Sequence, residues 1–143
     1  MDTEWSTEDL WRQEQSNFSA HLAMMFRWVE ERGGSLEEFI DYVGRASAAS
    51  WEGTESAEEL MEGVLLNVRS NGHEVLSVER EDGRVRARVT GLVRADVMEF
   101  FGVPAEQSDR FWDKFVPLAE ALGLRFSWRR AGDGVYEVEV AEG

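Results

Sequence analysis

The sequence predicts an α+β fold: an N-terminal three-helix layer packed on a four-stranded antiparallel sheet of two hairpins, with two helices between the hairpins. Three observations carry this expectation. Capping pairs at Ser6/Asp9, Ser35/Glu38 and Ser56/Glu59 each precede an apolar run of helical period. Two stretches, 74–93 and 124–140, instead alternate apolar and charged residues. Between those stretches the helical period returns. Residues 1–143 read as one domain, with 1–70 the helical layer and 74–141 the hairpin–helix–helix–hairpin segment.

The first helix starts after Ser6, with Trp5 and Leu10 at the two positions of a hydrophobic staple. Trp11, Phe18, Leu22, Met25 and Val29 fall on one face. Phe26 widens that stripe on one side, and Leu10, His21 and Trp28 widen it on the other. So broad an arc predicts the most buried helix of the chain, ended by Gly33-Gly34. The second helix carries Phe39, Ile40, Val43 and Ala46, then a run of small residues up to Trp51. Small residues let another backbone or a ligand approach closely. The third carries Leu60, Met61, Val64, Leu65 and Val68, and stops at Ser70-Asn71-Gly72.

A two-residue turn at Asp82-Gly83 makes 74–93 a hairpin, because Gly supplies the positive φ that tight turns require. The register follows. Glu81 faces Arg84, Glu79 faces Arg86 and Ser77 faces Arg88, while Arg80, Val78 and Leu76 face Val85, Ala87 and Val89. One face is apolar and the other opposes charges of opposite sign. A slip of one residue would invert both faces. Two strands cannot bury an apolar face alone, so the rest of the chain must cover it.

A short helix at about 94–101 follows. A longer one carries Phe111, Phe115, Leu118 and Leu122 in a stripe, with Trp112 and Val116 beside it. Pro117 inside that pattern is expected to bend it. In the last hairpin Leu124, Phe126 and Trp128 meet Tyr136, Val138 and Val140 around a turn in 130–134. Setting Trp128 opposite Tyr136 puts Arg125 opposite Glu139.

Composition narrows the chemistry. Cysteine is absent, which excludes disulfides, thiolate metal sites and cysteine nucleophiles, and two histidines cannot give three imidazole ligands. The net charge is −14, and residues 1–62 hold 15 acids against 4 arginines. Such a charge disfavours nucleic acid and anionic membrane and permits a basic protein partner. The acidic N-terminus is unlike a signal, and no apolar run reaches membrane length, so a cytoplasmic protein is expected.

Three features could carry function. His21 lies in the apolar arc of the first helix, with Glu14 two turns behind it on the same side. It reads as a general base, as a haem ligand, or as a core-edge histidine bonded to a carbonyl or to Glu14. Met25, Trp28 and Trp112 stand on or beside predicted core faces, where aromatic walls suit a flat apolar ligand or plain core packing. Arg94, at a strand-to-helix corner, could reach a carboxylate. His73 reads as an exposed loop residue, and Lys114, the only lysine, as an ordinary surface one. The outer-face arginines alternate with glutamates and read as a solvated ion-pair lattice.

The run from Leu66 to Val140 has a recognisable plan. A hairpin leads through Val89-Thr90-Gly91-Leu92 to a helix, then to a Phe/Trp-rich helix, then through Leu122-Gly123-Leu124 into a final hairpin. Phe26-Arg27-Trp28-Val29-Glu30 before Gly33-Gly34, and a following helix ending in Trp51, complete the layout. This plan resembles the L-2-amino-thiazoline-4-carboxylic acid hydrolase-like proteins and, more distantly, the 4-vinyl reductase-type small-molecule-binding domain. Those families usually place a cysteine near the last two strands, where Gly91 and Tyr136 stand here. The resemblance implies a ligand cavity between the N-terminal helices and the sheet, often in a dimer.

The leading expectation is therefore a small-molecule-binding or sensor domain. Its aromatic-lined pocket, between helices and sheet, would hold a small hydrophobic or aromatic ligand against His21, Met25, Trp28, Arg94 and Trp112. No metal is implied, no catalytic residue is assigned, and haem through His21 is the one cofactor alternative. Two other expectations are a divergent small-amide hydrolase and an acidic module that binds a basic partner. A homodimer is expected with the first.

Overall fold

The computed structural model describes residues 1–143. The helical layer is α1 (Thr7–Glu31), α2 (Leu36–Ser47) with a 3₁₀ turn at Ala48–Trp51, and α3 (Ala57–Ser70). Strands β1 (Val75–Glu81) and β2 (Arg84–Val89) follow, then α4 (Ala95–Phe100) and α5 (Ala105–Asp109). A 3₁₀ turn at Arg110–Lys114 leads into α6 (Phe115–Ala121), and β3 (Leu124–Gly132) and β4 (Val135–Glu142) close the chain. The strands form one antiparallel sheet in the order β1-β2-β4-β3. No helix is long and apolar enough to cross a membrane.

The three caps form as the sequence requires. Ser6, Ser35 and Ser56 each accept a hydrogen bond from the amide three residues on, at 3.0, 3.2 and 3.1 Å. Each satisfies a helix-end donor that has no partner within the helix, worth about 1 kcal/mol. The first hairpin keeps its expected register from Glu81/Arg84 to Ser77/Arg88. It departs at one end: a bulge between Val75 and Ser77 sets Val75 against Val89 and leaves Leu76 exposed. The second hairpin differs by two residues, with Trp128 opposite Val138 and Arg125 opposite Ala141. Its turn is Asp133-Gly134, and an irregularity between Arg130 and Gly132 takes up the extra residue. A shift of two preserves the faces, because side chains alternate with period two.

The two sheet faces have opposite characters. Val85, Ala87, Val89, Leu124, Phe126, Tyr136, Val138 and Val140 are buried toward the helices. The outer face is an ion-pair lattice whose strands alternate in sign. β1 carries Glu79 and Glu81, β2 carries Arg84, Arg86 and Arg88, β4 carries Glu137 and Glu139, and β3 carries Arg125 and Arg129. Arg86 reaches Glu139 at 2.9 Å, and Arg129 reaches Glu137 at 3.2 Å.

α3 and α6 lie directly on the sheet, and α2 packs on α6 and the 3₁₀ turn before it. α1 sits further out, against α4 and α2, so it is not the most buried helix. Its buried stripe is Gln15, Ser19, Leu22, Ala23 and Phe26, while Trp11, Met25 and Trp28 are exposed. The reason lies in two contacts distant in sequence. Ser19 Oγ accepts the Arg94 amide at 3.0 Å, and Gln15 lies against Gly72. Two polar residues face inward because two loops need them there. The expected bend at Pro117 is also displaced. Pro117 stands in the first turn of α6, where its missing N–H costs nothing, and the helix is interrupted earlier, at Arg110–Lys114.

Candidate functional site

The five residues singled out in the sequence do not share one cavity. Trp112 belongs to the core, 1% exposed, with its ring stacked on Phe126 at 6.4 Å and tilted against Phe115 and Tyr136. Arg94 pairs with Asp96 at 2.9 Å, and this bond holds the Asp96 carboxyl below the usual carboxylate range. His21 is exposed on α1. Helical geometry explains these last positions. At 100° per residue, His21, Met24 and Trp28 point away from the stripe of Ser19, Leu22 and Phe26 that faces inward. The interior between helices and sheet is filled by Phe26, Phe111, Trp112, Phe115 and Phe126.

Met25 and Trp28 do come together. With Met24, Val29 and Phe39 they line an open groove of about 420 Å³ between α1 and α2, and all five lining residues are apolar. Met24, Met25 and Trp28 are 47%, 45% and 58% exposed. One face of the Trp28 ring carries the Arg32 guanidinium, 4.5 Å from the ring centroid.

α2 separates this groove from a second, acidic cleft. The cleft holds about 620 Å³ and is lined by Glu37, Glu38 and Asp41 of α2, by Arg110 and Asp113, and by Val116 and Pro117 beneath. Asp41 pairs with Arg45, and Asp113 accepts the Trp128 indole N–H at 2.7 Å. Glu37 and Glu38 in the first turn are left as unpaired carboxylates, facing the positive end of their own helix. The capping pattern picks out Glu38 alone of these acids in the sequence. Their place beside an apolar groove depended on how α1 is rotated.

A third, much smaller space lies where the sheet meets α5. Its walls include His73, Thr90, Gly91, Ser108, Asp109, Trp112 and Tyr136, and its volume is about 40 Å³. His73 is not the exposed loop residue its position suggested. Its Nε2 lies 2.6 Å from the Val93 carbonyl, which only a donor can satisfy, and in the neutral ring Nδ1 then accepts from the Thr90 hydroxyl at 3.0 Å. Asp109 accepts from both the Tyr136 hydroxyl and Arg130. Burial, helped by Asp109, pushes the Tyr136 phenol up to about 12. Ser108 Oγ is buried without a protein partner. The space suits a water molecule, and it is far below the roughly 300–1,000 Å³ of small-molecule pockets.

Comparison with protein-family models, curated proteins and solved structures returned no match. Function is therefore read from the surface itself. No three Asp, Glu or His side chains converge as metal ligands. Of the accessible features, the apolar groove and the acidic cleft are the two that flank α2.

Proposed function

We propose that this chain is a protein-interaction module whose α1–α2 surface takes a basic amphipathic helix. The observation that carries this reading is the exposed groove of Met24, Met25, Trp28, Val29 and Phe39. Methionine side chains are flexible and polarisable, and they adapt to the apolar face of a helix laid into a groove. The acidic cleft across α2, with unpaired Glu37 and Glu38, then meets the basic flank of that helix. The 15 acids in residues 1–62 steer such a partner and disfavour acidic ones.

Fluorescence anisotropy of a labelled amphipathic peptide, apolar on one face and lysine- and arginine-rich on the other, tests the reading. Binding should weaken at least tenfold when Trp28→Ala and Met25→Ala are combined, and should also weaken as salt rises. A peptide that binds the double variant as well as the parent removes the groove from function.

A flat apolar ligand is the second reading, favoured by the groove's wholly apolar lining and its volume of about 420 Å³. The groove is open along its length, so such a ligand would keep much of its surface in water. A thermal-shift series with saturating aromatic ligands separates the two. A ligand at 100 times its Kd stabilises by about 2.7 kcal/mol, which raises the melting temperature visibly.

A further inference from the structure

Strand register sorts the outer sheet face into rows that run across β2, β4 and β3. One row holds Arg88, Glu137 and Arg129, the next Arg86, Glu139 and Ser127, and the last Arg84, Ala141 and Arg125. In the first row two arginines share one carboxylate: Arg88 lies 3.4 Å from Glu137 and Arg129 lies 3.2 Å from it. In the last row the arginines stand at the same spacing, but the residue between them is alanine. Arg125 meets no carboxylate there and donates to the Glu142 main-chain carbonyl at 3.3 Å. Arg84 comes no nearer than 3.4 Å to Glu139, whose other oxygen is taken by Arg86 at 2.9 Å. Glu81, opposite Arg84 on β1, does not pair with it. The face carries five arginines against four glutamates, so one positive charge is in excess. A cavity of about 350 Å³ opens at this same row, lined by Arg84, Arg125, Ser127 and Ala141.

We propose that this row is a binding site for small organic monocarboxylates, held between Arg84 and Arg125 over the Ala141 methyl. The ligand's carboxylate takes the position that the Glu137 carboxylate takes between Arg88 and Arg129. Planar guanidinium groups match a carboxylate with paired donors, and Arg84 and Arg125 each keep donors to spare. The Ser127 hydroxyl supplies a further donor on the cavity wall. Val116 and Phe126 line the same cavity and give the ligand's body an apolar surface. Glu120 and Glu139 also line it, and their charge disfavours a second negative group on the ligand. The site shares no residue with the apolar groove between α1 and α2, so it stands whether or not that groove takes a peptide.

The test titrates the isotope-labelled whole chain with sodium benzoate at low ionic strength and follows backbone amide and arginine Nε–Hε signals by NMR. Saturable shifts centred on Arg84, Arg125 and Ser127 are expected. Benzamide, the neutral counterpart, should bind about fivefold more weakly or not at all, as should phthalate and inorganic phosphate. Arg125→Gln should weaken benzoate about fivefold. Ala141→Glu should abolish benzoate binding, because the chain's own carboxylate then occupies the row, and it should move the Arg125 Nε–Hε signal without any ligand. Shifts that fail to saturate, shifts spread evenly over all the arginines, or benzoate binding unchanged in the two variants would overturn the site. Phosphate or phthalate bound as well as benzoate would overturn the monocarboxylate class.

Discussion

α1 and the segment 110–121 are both helical and both rich in aromatic and aliphatic residues, yet they end in opposite environments. Phe111, Trp112, Phe115 and Leu118 are buried, while Trp11, Met24, Met25 and Trp28 remain open to solvent. The difference lies in what each segment rests on. α6 lies on the sheet, with Phe115 and Phe126 rings 5.2 Å apart. α1 rests on α4 and α2 through a stripe that includes Gln15 and Ser19, so its apolar excess is left over. An amphipathic pattern records how much apolar surface a helix has. It does not record whether the same chain supplies the cover.

Substitutions in the two regions should therefore separate stability from binding. The largest effect is expected from Trp112→Ala, which empties the centre of the aromatic core and should cost about 3–5 kcal/mol in urea unfolding. Gly44→Ala comes next. Its new Cβ would fall inside the van der Waals envelope of the Lys114 carbonyl oxygen and the Pro117 ring, at a cost of about 1–3 kcal/mol. Lys114→Met should act in the opposite direction. Desolvation lowers its ammonium to about 8 in the folded chain, against 10.5 in the unfolded one, so below pH 8 folding works against a half-buried charge. The variant should gain on the order of 2 kcal/mol at pH 7. That gain should shrink as pH rises from 8 toward 10.5, where the parent no longer carries the charge when folded. The smallest change in stability belongs to Trp28→Ala, within about 0.5 kcal/mol, even though peptide binding should suffer most there. A Trp28→Ala variant that unfolds as readily as Trp112→Ala would erase the distinction between the regions.

The fold was legible wherever local chemistry is decisive. Three serine caps set three helix starts, and Asp82-Gly83 set the first hairpin, because a two-residue turn leaves one register. The second hairpin slipped by two, since the glycines of 130–134 offer more than one place for the turn and the irregularity between Arg130 and Gly132 shifts the pairing while keeping the same faces. The candidate site was less legible. Gln15 and Ser19 look like solvent-facing residues until the 71–72 and 92–94 loops lie against them, and that non-local contact turns α1 away from the expected face. His73 and Lys114 were misjudged for the same reason. Their partners, Thr90 and Val93 for one and Phe111 and Phe115 on an interrupted helix for the other, depend on folding beyond the local pattern.

The alternating signs on the outer sheet face have a consequence for assembly of the fold. Two hairpins can be joined edge to edge in four ways. Joining β2 to β3 would set arginine beside arginine, and joining β1 to β4 would set glutamate beside glutamate. Like charges placed opposite each other across strands are destabilising, so residues on the face turned away from the helices veto half of the available wirings. The observed junction of β2 with β4, with Arg86 opposite Glu139 and Arg88 opposite Glu137, is one of the two that survive.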